Sequence, residues 1–324
     1  MHRYIIKRLL MLIPVIIGVS FLIFFMMDLA PGDVMDSIGG EDMTEEDYQR
    51  MREELNLDKS VLFRYGVYMV NLVQGKMGWS ITRQADVWTL YKQRFPNTLK
   101  LALGSIVVCV VLSLPLGIIA AVKHGSLIDN GASALSILGL SIPNFWLGML
   151  LMIWFGLRLK WFPTSGADEG LKSLILPSFT VGTGMMATMA RTTRSSMLDV
   201  LRQDYLRTAR AKGVSNRKVV WRDALRNALI PIITVFGTQL GGCFGGALVT
   251  ENVFTYPGIG QLLVAGIKGQ DVTLVCGFVI MTVLVICLVQ LMVDVLYAFV
   301  DPRLRAQYSS SGRKRSRKKA EAAA

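Results

Sequence analysis

The sequence predicts an all-α integral membrane protein with six spanning helices. Three observations carry that prediction. Of 324 residues, 52% are hydrophobic, and the mean hydropathy is +0.45. The apolar residues gather in runs of about 20 or more, long enough to cross a ~30 Å hydrocarbon layer as helices. The formal net charge of +12 is concentrated at residues 3–8, 191–226 and 303–319, blocks that flank those runs. Basic blocks in such places, without interleaved aromatic residues, do not read as a nucleic-acid surface.

The first run covers residues 9–29, behind Arg3, Lys7 and Arg8. It is too long for a signal-peptide core and no A-x-A site follows, so it reads as a retained helix with its N-terminus inside. Asp28 marks its far edge, and A-P-G-D, with Pro31 and Gly32, breaks it. Residues 33–95 are polar and slightly acidic, which suits the outer side. Thr44 precedes Glu45, Glu46 and Asp47, a helix start whose acids favour the dipole. Val61, Leu62, Tyr65, Tyr68, Met69, Leu72 and Val73 form an amphipathic stripe, for the membrane surface or the helix bundle. The segment serves either to receive an external partner or as a cap.

Five further spans follow, at 98–122 with a kink at Pro115, and at 132–157 with Pro143 inside S-I-P-N-F-W. The next, 171–190, is weak because Pro177, Gly182 and Gly184 interrupt it, a weakness that could mark a transport path. The last two are the Gly-rich 229–250 and 273–300. Inner residues 123–130 contain His124, and outer residues 158–170 carry W-F-P-T-S-G, where Trp161 suits the interface. Six spans return both termini to the cytoplasmic side. The chain thus divides into 1–95, a first helix with an external segment, 96–300, a five-span core, and 301–324, a basic tail predicted to be disordered.

Residues 191–228 stand out between the fourth and fifth spans. From Arg191 to Arg226 there are ten Lys/Arg against three Asp/Glu, which places this island in the cytoplasm. Val200, Leu201, Tyr205, Leu206 and Ala209 recur at helical spacing, and Arg210 and Lys212 suit a helix C-terminus. Gly213 supplies a left-handed helix end and Ser215 a cap for the next helix. Val219, Val220, Ala224, Leu225 and Ala228 continue an apolar stripe. The island therefore reads as two short amphipathic helices around a Gly turn.

Other residue groups have plainer readings. Cys109, Cys243, Cys276 and Cys287 lie in or beside apolar runs without a Cys-x-x-Cys pair, as buried packing residues do. His2 and His124 have no ligand cluster around them, and Met185, Met186 and Met189 read as adaptable core filler, so no metal site is expected. Gly237, Gly241 and Gly245 recur every four residues, with Gly242 and Gly246 beside them and Thr234 and Thr238 flanking the same face. Such a stripe serves either close packing within the chain or a polar path. Gln290 and Asp294, one turn apart in the last span, should face protein or water, with Asp294 contacting a neighbouring helix or the island. Tyr256, Pro257 and Gly258 form a chain-reversing turn.

The run D-Y-L-R-T-A-R-A-K-G at 204–213 resembles the cytoplasmic coupling loop of ABC-importer permeases, in their peptide-importer branch. Arg207 and Thr208 stand where the general motif has Glu and Ala, while Ala209 and Gly213 are kept. Asp223 and Arg226 replace its later Ile and Pro, and Leu225 matches. The opening R-L-L-M-L-I-P-V-I-I-G-V-S with A-P-G-D, then L-S-I-P-N-F-W-L-G, W-F-P-T-S-G, E-N-V-F-T-Y-P-G-I-G-Q-L-L and D-P-R-L-R occur in the order of the first permease of peptide or nickel importers.

The resemblance implies a type I permease bundle. It also implies that Asp204, Tyr205, Arg207, Thr208, Ala209, Arg210, Ala211, Lys212 and Gly213 couple to an ATPase. Thr234, Gly237, Thr238, Gly241 and Gly245 would face the translocation path or a second permease. Glu251, Tyr256, Pro257 and Gly258 would lie near an outer gate. Its implied partners are a second homologous permease, two cytosolic ABC ATPases that use ATP and Mg, an extracytoplasmic substrate-binding protein and membrane lipid. The chain has no Walker-type Gly-rich loop, so no cofactor and no catalytic residue are expected on it. Di- and oligopeptides are the first expected cargo, with nickel chelates, glutathione-like peptides or opines as alternatives. Two other classes compete: a membrane-embedded enzyme, which would need Ser/His or paired Asp inside the spans, and a stand-alone channel or carrier, which the basic loop argues against.

Overall fold

The computed structural model describes residues 2–30, 35, 44–54 and 56–300. Parts of A-P-G-D, the D-P-R-L-R run and the basic tail lie outside them. Helix α1 spans His2–Leu29, followed by α2 (Glu45–Glu54) and α3 (Val61–Val73). A two-rung hairpin pairs β1 (Trp79–Ser80) with β2 (Ala85–Asp86). Then come α4 (Val87–Val122), α5 (Leu127–Ser141), α6 (Asn144–Arg158) and α7 (Leu171–Leu201). The chain closes with α8 (Asp204–Ala211), α9 (Asn216–Val253), α10 (Ile259–Lys268) and α11 (Val272–Val300). Among the described residues, five helices are long and apolar enough to span a membrane, and the α5–α6 pair makes a sixth crossing if counted as one.

That pair corrects the third expected span. It bends by 101° instead of running as one helix. The cause is Pro143, which has no N–H to donate and drives Ile142 into extended backbone, φ −83° and ψ 121°. The second span also differs, since α4 begins at Val87, inside the segment expected to be external. Asp86 starts it by accepting bonds from the Thr89 amide (2.9 Å) and hydroxyl (3.1 Å). Pro96 and Pro115 both lie within its 36 residues.

The fourth span is the least apolar of the spans, as expected, but Pro177, Gly182 and Gly184 do not interrupt it. Helix α7 is continuous over 31 residues and is the most buried of the spans. Its low apolarity comes from small and hydroxylic residues that let α4 approach. A Cβ on Gly182 would sit 2.7 Å from the Ser105 carbonyl oxygen, and one on Gly117 of α4 would sit 2.6 Å from that of Ala190. The hydroxyls of Thr180 and Thr193 donate to carbonyls one turn back, at 2.9 and 2.8 Å, so they enter this interface satisfied. Hydropathy alone reads such a helix as marginal because it measures contact with lipid, which α7 mostly lacks.

The first helix and the outer segment form a separate layer. On α3, Val61, Tyr65, Tyr68, Met69 and Leu72 pack against α1 and α11, whereas Leu62 and Val73 are exposed. Phe24 and Tyr65 meet edge-on at 5.7 Å, and the Tyr65 hydroxyl donates to the Ile17 carbonyl at 3.0 Å. An Arg64–Asp28 ion pair closes the same contact. Asp271 then ties the hairpin to α11, accepting from Ser80 (2.6 Å), the Thr82 amide (3.1 Å) and the Leu274 amide (3.0 Å).

The main core joins α4, α7, α8 and α9 around Cys109, Met185, Met189, Met197, Leu206, Val219 and Ile232. The methionines thus act as filler. At the other edge, Arg8 pairs with Asp294, which gives the contact between Asp294 and a neighbouring helix that the sequence suggested.

Candidate coupling loop and translocation face

Two sets of candidate residues sit at opposite ends of α9. At its beginning, the loop end of the bundle, α7 ends at Leu201 and α8 starts three residues later. Helix α8 closes with a left-handed Gly213 at φ +81°. The Val214 amide donates to the Ala209 carbonyl (3.2 Å) and the Gly213 amide to that of Arg210 (2.9 Å). This reciprocal pair is a Schellman ending, which requires a residue without a Cβ at its turn. Ser215 occupies the expected N-cap position, with its side chain unbonded to the following turn.

The two faces of this loop have different jobs. Leu206, Val219, Val220, Ala224 and Ala228 are buried in the main core beside Ile118, Ala121 and Met197. Asp204, Tyr205, Arg207, Thr208, Arg210, Ala211, Lys212 and Gly213 are exposed. Asp204 and Arg207 lie 4.0 Å apart with side chains 96% and 79% exposed, so the pair does little to stiffen the helix. Tyr205 accepts from Asn227 Nδ2 at 2.7 Å, linking α8 to α9 across the turn. Ala209 is the exception among the expected coupling residues. It packs inward against the chain's own core with Val214, so its small size serves the loop's seating.

A polar cluster at the same end escaped the sequence reading. The Asp129 carboxylate is buried and accepts from Arg194 Nε (2.5 Å), Arg194 Nη2 (2.7 Å) and the Gly125 amide (3.0 Å). His124 Nδ1 lies 3.0 Å from it. These bonds hold the 123–130 turn to α7, directly before the loop. Its local half was legible, because S-L-I-D at 126–129 is a capping-box pattern, and Ser126 does accept from the Asp129 amide at 3.4 Å. The distant half was not, since nothing in the sequence matched Arg194 to Asp129 across 65 residues.

Along α9 the expected Gly stripe splits. Gly237 and Gly241 are buried and face α11, where Gln290 Nε2 donates to the Gly237 carbonyl at 3.3 Å. A Cβ on Gly241 would sit 2.7 Å from that same nitrogen. Gly245 faces open space, and the exposed line is Thr234, Thr238, Gly242, Gly245 and Val249. The reason is angular: steps of four residues advance about 40° beyond a full turn, so Gly245 has rotated well away from Gly237. The Thr234 and Thr238 hydroxyls donate to their own helix at 3.0 and 2.8 Å, which leaves this face nearly apolar. The five residues expected on one face therefore belong to two.

At the far end of α9, the hairpin end, Glu251, Tyr256, Pro257 and Gly258 come together as a joint. Glu251 is fully buried and its carboxylate accepts from the Thr98 hydroxyl (2.5 Å), the Gly260 amide (2.6 Å) and the Gln261 amide (3.3 Å). Thr98 in turn accepts from the Ile259 amide at 2.8 Å. A helix N-terminus exposes such unpaired amides and a positive dipole end, and here one glutamate and one threonine satisfy three of them. A Cβ on Gly258 would collide with the Glu251 carboxylate, so the joint needs a glycine at 258 for room. The turn itself is tighter than a Pro-Gly β-turn: the Gly258 amide donates to the Tyr256 carbonyl at 2.7 Å around Pro257. Burial first, and then the nearby Glu251, push the Tyr256 phenol above its ordinary range. These four residues, which the family resemblance puts near an outer gate, form a packed junction of α4, α9 and α10.

Comparison with known proteins places this architecture. Residues 113–306 match the family model described as the binding-protein-dependent transport system inner membrane component. Residues 1–102 match the N-terminal model of the same membrane component. The oligopeptide transport system permease protein AppB of Bacillus subtilis is 39% identical, with 94% of this chain and 99% of the relative covered. The di/tripeptide permease protein DppB of Pseudomonas aeruginosa is also 39% identical, over 95% and 100%. The glutathione permease protein GsiC of Escherichia coli is 41% identical, over 94% and 99%. Among solved structures, an inward-facing MetNI methionine ABC transporter chain superposes with a TM-score of 0.56 at 20% identity, covering 66% of this chain and 97% of its own. That likeness concerns the fold. With both family models matched in sequence order and relatives aligned end to end, the chain belongs to the inner membrane components of binding-protein-dependent transport systems, as a multi-pass permease.

Proposed function

We propose that this permease forms one half of the translocation path of an ATP-driven importer of di- and oligopeptides. A second, homologous permease supplies the other half. An extracytoplasmic substrate-binding protein delivers cargo, and two cytosolic ABC ATPases, which use ATP and Mg, drive the cycle. Both termini and the 201–216 loop face the cytosol in this reading. The peptide assignment rests on the relatives, whose names are those of oligopeptide, di/tripeptide and glutathione permeases.

The observation that carries the mechanism is the two-faced α8. Its apolar side is embedded in the core that joins α4, α7 and α9, while its polar side is free for another protein. A push on that side moves three spanning helices together, because packed interiors transmit displacement with little give. The Arg194–Asp129 bond extends the moving unit to α5. ATP-driven closure of the ATPases would then rock this unit and exchange inward and outward openings, as in alternating access. The exposed line Thr234, Thr238, Gly242 and Gly245 is the surface offered to the second permease or to cargo. Uptake of labelled dipeptide into cells lacking the chromosomal copy tests the cargo. Restoration by this chain with its neighbouring subunits is expected, and restored ATPase assembly without dipeptide uptake would point to another cargo.

A further inference from the structure

At the loop end, a crevice of about 280 Å³ lies between the end of α4 and the start of α9. Its floor is Ile118, Ile119, Val122 and Val220, and its rim is Lys123, Asn216, Arg217 and Trp221. No carboxylate lines it. Lys123 and Arg217 are exposed, and neither side chain has an ion-pair or hydrogen-bond partner among the described residues. Trp221 is half exposed. Two free cations and an indole at the end of a spanning helix are the elements that hold a lipid headgroup at a membrane surface.

A second observation points the same way. The exposed side chains of α4 recur as Leu99, Leu103, Val107, Val111, Ile119 and Val122, with Pro115 completing the series. Steps of four wind this line about 40° further round the helix each time, so Leu99, Leu103 and Val107 turn away, while Val111, Pro115, Ile119 and Val122 stay within about 80° of one another and lead into the crevice. No other described helix of the chain covers these side chains. An acyl chain laid along this face would carry its phosphate to Lys123 and Arg217.

We infer that the crevice binds one anionic phospholipid, with its phosphate between Lys123 and Arg217, its glycerol region against Trp221 and an acyl chain along the outer face of α4. A phospholipid fits better than a docked protein because the apolar track from Val122 to Val111 runs about three helical turns into the membrane-spanning part of α4 from the cationic rim. It requires only that α4 spans the membrane. Bound there, the lipid would fasten α4 to the first turns of α9, beside the loop that moves.

The test uses the full-length chain with its co-expressed subunits, extracted and reconstituted in nanodiscs containing phosphatidylcholine and phosphatidylglycerol. Bound phospholipid is counted by native mass spectrometry for the parent and for Lys123→Gln/Arg217→Gln. A single retained phosphatidylglycerol is expected in the parent. The double variant should lose about thirty-fold of that preference if each cation contributes as basic residues do near anionic surfaces. Lys172→Gln, at the opposite end of the bundle, should change nothing. Added inorganic phosphate should displace the lipid weakly, whereas full displacement would mean a free-phosphate site and overturn the lipid assignment. Equal retention in parent and double variant, or protection of the crevice only when a cytosolic subunit is bound, would also overturn it.

Discussion

The two ends of α9 are built on opposite principles. At the hairpin end, Glu251 is fully buried and its carboxylate is bonded to α4 and to the first turn of α10. At the loop end, the polar residues of α8 are exposed and make few bonds, while the apolar ones are locked into the core. The difference teaches which charged and polar residues support the fold and which are available to a partner. A polar group that is buried and fully bonded holds its neighbours in place. One that is exposed, on a helix whose other face is fixed, can carry force from outside.

The largest effect should come from breaking the buried joint. Glu251→Ala leaves the Gly260 and Gln261 amides without their acceptor and the Thr98 hydroxyl without its own. Buried groups abandoned in this way cost about 1–3 kcal/mol each. The expected outcome is a large fall in folded yield and in melting temperature in detergent, partly restored by Glu251→Gln. An unaffected melting temperature would mean that the joint is ornamental and that the comparison between the two ends fails.

Next comes the contrast within α9. Gly241→Leu drives a side chain into Gln290 and should destabilise the subunit, by about 1–3 kcal/mol as overpacked cores do. Gly245→Leu has open space around it and should leave the isolated subunit's melting unchanged while blocking uptake in the assembled transporter. Equal melting for the two variants would show that the two faces are not distinct.

A smaller effect is expected at the loop. Gly213→Val forces a branched residue into left-handed backbone, at a cost of roughly 1–2 kcal/mol. Because the damage is confined to the end of α8, the chain should insert and fold but lose co-purifying ATPase. Smallest of all, Arg207→Ala should leave stability within about 0.5 kcal/mol, since the side chain is exposed and its pairing with Asp204 is loose. Any deficit in that variant would therefore read directly on docking.

How much of this was legible in the sequence follows from what each feature depends on. The apolar runs gave the spans, since span length is a local property. The Gly213 helix end and the apolar stripe through Leu206 and Val219 were likewise local patterns. The broken third span was half visible: Pro143 was recognised, but a single proline does not tell a kink from a 101° bend. The low apolarity of α7 is visible in the sequence but its continuity and burial are not, because small residues packed between helices look, in hydropathy, like a failure to insert. The Gly stripe was read as one face because spacing of four approximates a turn, and the accumulated rotation split it. The roles of Glu251 and Asp129 depend on partners 153 and 65 residues away, Thr98 and Arg194, which no local pattern discloses.

The central claim is that the exposed side of α8 is a cytosolic docking surface for an ATPase. Arg207→Cys in a background lacking Cys109, Cys243, Cys276 and Cys287 tests it most directly, with a membrane-impermeant thiol reagent. The account predicts no labelling of intact cells, strong labelling of inside-out vesicles stripped of ATPase, and protection once the ATPase subunits are restored. Labelling from outside intact cells would contradict the orientation. Undiminished labelling with the ATPases restored would contradict the docking surface itself.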